Sequence, residues 1–154
     1  MIDFSGKYTA NVDDKGRVII PSVLKKEMGD EMLRPLFVEM DPYEKCLNIY
    51  PMMYWVQRIE RIKSALNLDD PVQSRLLDKF YQKFIKVTMT DKGRINIPNS
   101  LLNDVQVKKE VVFTGQGNRI RLWDAAVFEE SLLTDEEYKR LFEKHLGGSL
   151  NPNV

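Results

Sequence analysis

The stretch Asp14-Lys15-Gly16-Arg17-Val18-Ile19-Ile20-Pro21 returns 77 residues later as Asp91-Lys92-Gly93-Arg94-Ile95-Asn96-Ile97-Pro98. Six of the eight positions are identical, and Val18 faces the similar Ile95. The likeness continues through Ser22-Val23-Leu24 against Asn99-Ser100-Leu101. After a four-residue difference in length, Leu47-Asn48-Ile49-Tyr50 aligns with Ile120-Arg121-Leu122-Trp123, and Trp55 falls opposite Phe128. Order, spacing and a following aromatic are all kept, which is the mark of an internal duplication rather than of a chance match.

Each copy reads as the same series of elements. Lys7–Val12 and Lys83–Met89 are strands; Asp13–Gly16 and Thr90–Gly93 are turns; Arg17–Ile20 and Arg94–Ile97 are β-branched return strands. Gly16 and Gly93 sit where a tight hairpin requires positive φ. Pro21 and Pro98 stop the ladder and preset a first helical turn, so that Ser22–Met28 is a short helix ended by Gly29. Strands follow at about Leu36–Met40, Cys46–Tyr50, Glu110–Thr114 and Arg119–Trp123, the last two around the turn Gly115-Gln116-Gly117-Asn118. Helices are expected over Met52–Leu66 (with Trp55, Ile59 and Ile62 as its apolar stripe), Pro71–Phe80, Ala125–Leu132 and Thr134–Leu146. The organisation is therefore a first unit at 5–51, a helical connector at 52–81, a second unit at 82–123 and C-terminal helices at 124–146. A small polar tail at 147–154 is expected to be disordered. A half of about 50 residues cannot easily bury a core alone, so the two halves are expected to interleave strands about a pseudo-twofold axis. The fold class is α+β, mixed β with short helices around a barrel-like core.

Composition narrows the function classes. Of 154 residues, 43% are apolar and 30% charged, a folded and soluble balance. No apolar run is long enough to span a membrane, and Met1 to Gly6 lacks the features of a secretory signal. Cys46, the single cysteine, fits a reducing cytoplasm and reads as a buried small hydrophobe. His145, the single histidine, reads as a surface residue without partners for a metal site. No nucleophile elbow, phosphate loop or dinucleotide fingerprint is present. The acidic runs Asp69-Asp70 and Asp135-Glu136-Glu137 suit helix N-termini. Neither an enzyme, a cofactor nor a small-molecule substrate is indicated.

The motifs DDKGRVIIP at 13–21, TDKGRINIP at 90–98 and GNRIRLW at 117–123, with Tyr50-Pro51 and Trp55, resemble the MraZ family and its tandem AbrB-like (SpoVT-AbrB, swapped-hairpin) units. The resemblance covers roughly residues 4–130. It implies a bacterial transcriptional regulator of the division and cell-wall gene cluster, located with the nucleoid in the cytoplasm. It further implies a ring-shaped homo-oligomer whose hairpin loops present arginines to short direct repeats of double-stranded DNA in its own promoter. The family's Asp-x-x-x-Arg signature is matched by Asp13 and Arg17; in the second unit Thr90 replaces the aspartate while Arg94 is kept.

The chemistry of these turns supports the same reading on its own terms. A β-ribbon fits the major groove, Arg can grip guanine O6 and N7 in two parallel bonds, and Lys offers a point charge to phosphate. Arg17 and Arg94 are thus the candidates for base readout and Lys15 and Lys92 for phosphate contact, with Lys7, Lys83 and Lys86 extending the basic stripe. Asp13, Asp14, Gly16, Thr90, Asp91 and Gly93 are expected to structure the loops. Lys plus Arg equals Asp plus Glu at 23 each, and the pI is about 6.6, so binding would depend on local potential and on several loops acting together. One such turn is equally consistent with an ordinary hairpin tip that protects an edge; two copies favour function. The competing class is a protein-interaction or assembly module on the same scaffold, either antitoxin-like or a ring organiser. The amphipathic run Thr134–Lys144 could pack on its own subunit or on a neighbour.

Overall fold

A computed structural model describes residues 1–150. The chain runs β1 (Lys7–Asn11), β2 (Arg17–Ile19), α1 (Ser22–Met28), a 3-10 turn (Gly29–Leu33), β3 (Leu36–Met40), β4 (Leu47–Pro51), α2 (Met52–Ala65) and α3 (Pro71–Tyr81). The second half repeats the order with β5 (Phe84–Val87), β6 (Arg94–Asn96), α4 (Asn99–Asp104), β7 (Glu110–Gly115), β8 (Ile120–Asp124), α5 (Ala125–Ser131) and α6 (Asp135–Leu150).

The strand pairing corrects one feature of the sequence reading. The segments on either side of each Asp-Lys-Gly-Arg turn were expected to ladder with one another as a hairpin. The turn closes, but its two strands then part. β1 pairs with β7 of the other half and β5 with β3, while β2 and β6 pair only with each other. The conventional hairpins are β3–β4 and β7–β8. Each half thus lends its first two strands to the other, because a half of this size leaves its own apolar faces uncovered.

The result is a six-stranded antiparallel sheet, β1-β7-β8-β4-β3-β5, and a two-stranded ribbon, β2-β6. The sheet order is its own mirror in terms of the repeat. Its middle pair, β4 with β8, registers Asn48 opposite Arg121, with Leu47 opposite Leu122 and Ile49 opposite Ile120. The ribbon centres on Val18 opposite Ile95. Both registers are symmetric about one pseudo-twofold axis. The sheet does not close into a barrel; β1 and β5 are its two edges.

Alternation along the strands decides what each face meets. Val111 and Phe113, Ile120 and Leu122, Leu47 and Ile49, and Leu36 and Val38 point to one side and are fully buried. There they join Val18, Ile20, Ile95 and Ile97 of the ribbon and Leu24, Met28, Leu101 and Leu102 of α1 and α4 in one core. The opposite face carries two smaller clusters at pseudo-equivalent places. Trp55 of α2 stacks on Phe37 at 5.3 Å between ring centroids and 6° between planes, and Phe128 of α5 meets Trp123 edge-on at 6.1 Å.

The helices follow their local signals. Asp70 caps α3 through the Val72 amide, with Pro71 in the first turn. Thr134 and Glu137 form a reciprocal capping box at α6, each accepting the other's backbone N–H at 3.1 and 3.0 Å. α6 continues through Gly147 and Gly148 to Leu150, so four residues of the expected 147–154 tail are helical and the rest of that segment lies outside the described residues.

Candidate nucleic-acid interface

Two three-residue turns lead into the ribbon. In the first, Asp13 N–H donates to the Arg17 carbonyl at 3.0 Å and Gly16 N–H to the Asp13 carbonyl at 3.1 Å. In the second, Thr90 and Gly93 repeat both bonds at 2.9 Å. This is the loop whose third residue must be left-handed, and Gly16 and Gly93 have φ of 81° and 86°.

The two turns are locked differently. The Asp13 carboxylate accepts the backbone N–H groups of Lys15 and Arg17 at 3.0 and 2.9 Å, and its other oxygen takes the Arg17 Nε–H at 2.6 Å. The Arg17 amide, offset slightly by desolvation and helped by the Arg17 side chain, holds the Asp13 carboxyl below its usual pKa. In the second turn Thr90 Oγ1 accepts only the Arg94 N–H, at 3.0 Å. Among the described residues Arg94 has no ion-pair partner, whereas Arg17 has one. Asp13 therefore aims one arginine, and the Thr90 substitution leaves the other unaimed.

The arginines do not sit on two separate hairpin tips. In the ribbon, Val18 and Ile95 face the core, so Arg17, Ile19, Arg94 and Asn96 share the outward face. Arg17 lies opposite Asn96 and Ile19 opposite Arg94, which makes the two arginines diagonal neighbours, about 7–8 Å apart in backbone position. They line a shallow cleft with Asn11, Asp13, Ile19 and Lys109. Lys109 was not a candidate from the sequence. Its carbonyl accepts the Val12 N–H at 2.8 Å, a cross-repeat bond with no local motif to announce it.

The remaining candidates divide. Lys15 and Lys92 are exposed on the turns beside the ribbon. Asp14 and Asp91 use main-chain carbonyls, accepting from Asn99 and from Lys25 of α1, so each turn is pinned to a neighbouring helix. Lys7 lies on the other side of the sheet, its Nζ 5.6 Å over the Phe128 ring. Lys86 shares that side by strand alternation, and Lys83 borders a cleft with Asp41, Arg58 and Phe80. None of the three lines the ribbon cleft; the swapped pairing turns Lys7 and Lys86 to the other side of the sheet.

The centre of the opposite face holds a buried polar layer on the axis. Asn48 donates to Glu39 at 3.1 Å and to Asp41 at 3.0 Å. Arg121 reaches Asp41 at 3.1 Å and Glu44 at 2.7 Å. Cys46 is buried, as expected, but its Sγ accepts from Arg121 at 3.0 Å. Burial, partly countered by Arg121, pushes the thiol up to about 11, which makes it inert. No three His, Cys, Asp or Glu side chains group for a metal among the described residues, and His145 is exposed. No helix among the described residues is long and apolar enough to cross a membrane.

Fold and site together define a class: a tandem-duplicated α+β protein whose halves exchange strands and jointly present two arginines on one ribbon. The family model described as "MraZ protein, putative antitoxin-like" matches residues 4–79 and 82–144. A transcriptional regulator MraZ from Halothermothrix orenii is 34% identical over 122 residues, 79% of this chain and 81% of the relative. Its namesake from Dictyoglomus thermophilum is 33% identical over 127 residues, 82% and 83% of the two chains. That of Phocaeicola vulgatus is 25% identical over 151 residues, 98% of both. The chain belongs to the MraZ family.

Proposed function

We propose that the protein is a sequence-specific DNA-binding transcriptional regulator, not an enzyme, and that the β2–β6 ribbon is its reading surface. The observation that carries this is the placement of Arg17 and Arg94 on one outward face. Their diagonal spacing of about 7–8 Å corresponds to about two base-pair steps at 3.4 Å each. It also fits inside a major groove about 12 Å wide. Arg17, held by Asp13, suits bidentate readout of guanine, and Arg94 adapts to a second base. Lys15, Lys92 and Lys109 contact phosphates; Lys7 and Lys86, on the other side of the sheet, and Lys83, beside the β3–β5 edge, are not assigned to this surface.

The finer reading is a regulator of the bacterial division and cell-wall gene cluster, acting at its own promoter on short direct repeats as a nucleoid-associated ring oligomer. The relatives' names support regulation of transcription. One ribbon offers few phosphate contacts and the chain is neutral, so copies arrayed on one face of a ring would supply affinity through effective concentration. α6 has no buried residue among those described and aligns Tyr138, Phe142, Leu146 and Leu150 as an exposed stripe, a surface suited to a neighbouring subunit. A gel shift on the DNA upstream of the protein's own gene tests the reading. Wild type should bind several repeats far more tightly than one, and Arg17→Ala should bind neither. Equal affinity for one repeat and several would remove the ring component. Absence of binding would favour the assembly-module alternative, for which the α6 stripe is the supporting feature.

A further inference from the structure

The duplicated ribbon is symmetric in backbone but not in what it displays. Its register is centred on Val18 and Ile95, and the flanking bonds match across the axis: Ile20 N–H to the Gly93 carbonyl and Ile97 N–H to the Gly16 carbonyl, both 2.8 Å. Positions 17 and 94 are equivalent by duplication and both are arginine. Positions 19 and 96 are equally equivalent, share the outward face, and differ: one is isoleucine, the other asparagine.

A face with identical residues at all four equivalent places would meet the two ends of a base sequence in the same way. It would then prefer a palindrome and could bind either way round. Here the cross-strand pairs are Arg17 with Asn96 and Ile19 with Arg94. An Asn amide can pair with the adenine edge in two bonds, its oxygen accepting from N6–H and its nitrogen donating to N7, while an aliphatic side chain makes apolar contact with the thymine methyl. Ile19 is 56% exposed between two polar neighbours on this face, so it contributes little to the core that Val18 enters from the same strand. A second asymmetry runs in the same sense, since Arg17 is held by Asp13 at 2.6 Å and Arg94 has no such tether among the described residues.

We infer that Ile19 and Asn96 give the pseudo-symmetric ribbon a direction on DNA: Asn96 reads an adenine beside the base held by Arg17, and Ile19 reads a thymine beside the base held by Arg94. This rests on the DNA-binding function proposed above. The two residues are determinants of specificity rather than of general affinity, because neither carries charge to a phosphate.

Selection from a random duplex library by the full-length wild type, Ile19→Asn and Asn96→Ile tests it, with thermal melting to verify folding. Wild type should enrich a non-palindromic core in which replacing either flanking base weakens binding about 5- to 100-fold. Ile19→Asn should lose the thymine preference, gain adenine and enrich a symmetric core; Asn96→Ile should do the converse. Asn96→Asp is the independent variant, since a carboxylate only accepts and should move the preference from adenine towards cytosine. A palindromic wild-type core, or variants that bind and enrich the wild-type motif unchanged, would overturn the inference while leaving DNA binding intact. If wild type enriches no sequence, the DNA reading fails and this inference falls with it.

Discussion

At the scale of the residue, identity within the repeat does not mean equivalence. Gly16 and Gly93 have nearly the same φ, yet a Cβ on Gly16 would stand 2.0 Å from the Ile97 carbonyl oxygen, whereas on Gly93 the nearest atom is the flexible Lys25 Cδ at 3.3 Å. Gly93→Ala should therefore cost about 1–2 kcal/mol, the left-handed penalty alone. Gly16→Ala should cost clearly more and loosen the ribbon, as chemical denaturation of the pair will measure. Arg17→Ala should abolish specific DNA binding and leave the denaturation midpoint almost unchanged. Its ion pair is 41% and 39% exposed at the two side chains, and pairs so open to solvent add little to stability. The Asp13 carboxyl has a lowered folded pKa, so the turn's contribution is present above the ordinary value of 3.8 and is lost as pH falls through the lower folded value. DNA affinity should consequently show no loss attributable to this group between about pH 6 and 8, in a titration of binding against pH. The turns, their glycines and Arg17 were legible in the sequence because each is a local signal. The placing of Lys109, Ile19 and Asn96 beside the two arginines was not, and Lys7, Lys83 and Lys86, expected to extend the basic stripe, lie off the ribbon cleft, because the side of a strand that meets solvent is settled by a partner strand from the other half.

At the scale of the element, the sequence specifies strands and turns well and their partners poorly. Leu36–Met40 was bounded without error, yet nothing near Arg17–Ile19 says that it pairs with Arg94–Asn96 rather than with Lys7–Asn11. The duplication, the small size of each half and the resemblance to swapped-hairpin units pointed to interleaving about an axis without choosing the strands. The buried polar layer of β3, β4 and β8 was likewise invisible, since Arg121 is far in the chain from Glu39, Asp41 and Asn48 and no local motif joins them. Glu39 is fully buried and lies 3.0 Å from Arg58. Burial raises its pKa, with Arg58 and Asn48 opposing. Arg58→Ala would leave a buried carboxylate with Asn48 as its remaining partner, and should cost about 3 kcal/mol or more at neutral pH. A carboxyl with a raised folded pKa favours folding below its unfolded value of 4.5 and loses that advantage as pH rises through the folded value. The Arg58→Ala deficit, measured by urea unfolding, should accordingly shrink in acid.

At the scale of the whole molecule, an overall charge of zero coexists with a local surface where Lys15, Arg17, Lys92, Arg94 and Lys109 surround one ribbon. The duplicated halves build that surface jointly, so neither half alone should read DNA. The exposed stripe of α6 lies outside it and is the surface we propose for contact between copies of the chain. The most direct test is the salt dependence of affinity for the protein's own upstream DNA, by fluorescence anisotropy, for wild type, Arg17→Ala and Arg94→Ala. Log affinity of the wild type should fall steeply with log salt, with a slope of about −0.9 per phosphate neutralised, and the specific complex should be weakened or absent in both variants. Affinity indifferent to salt, or unchanged by both substitutions in folded protein, would contradict DNA reading by this ribbon.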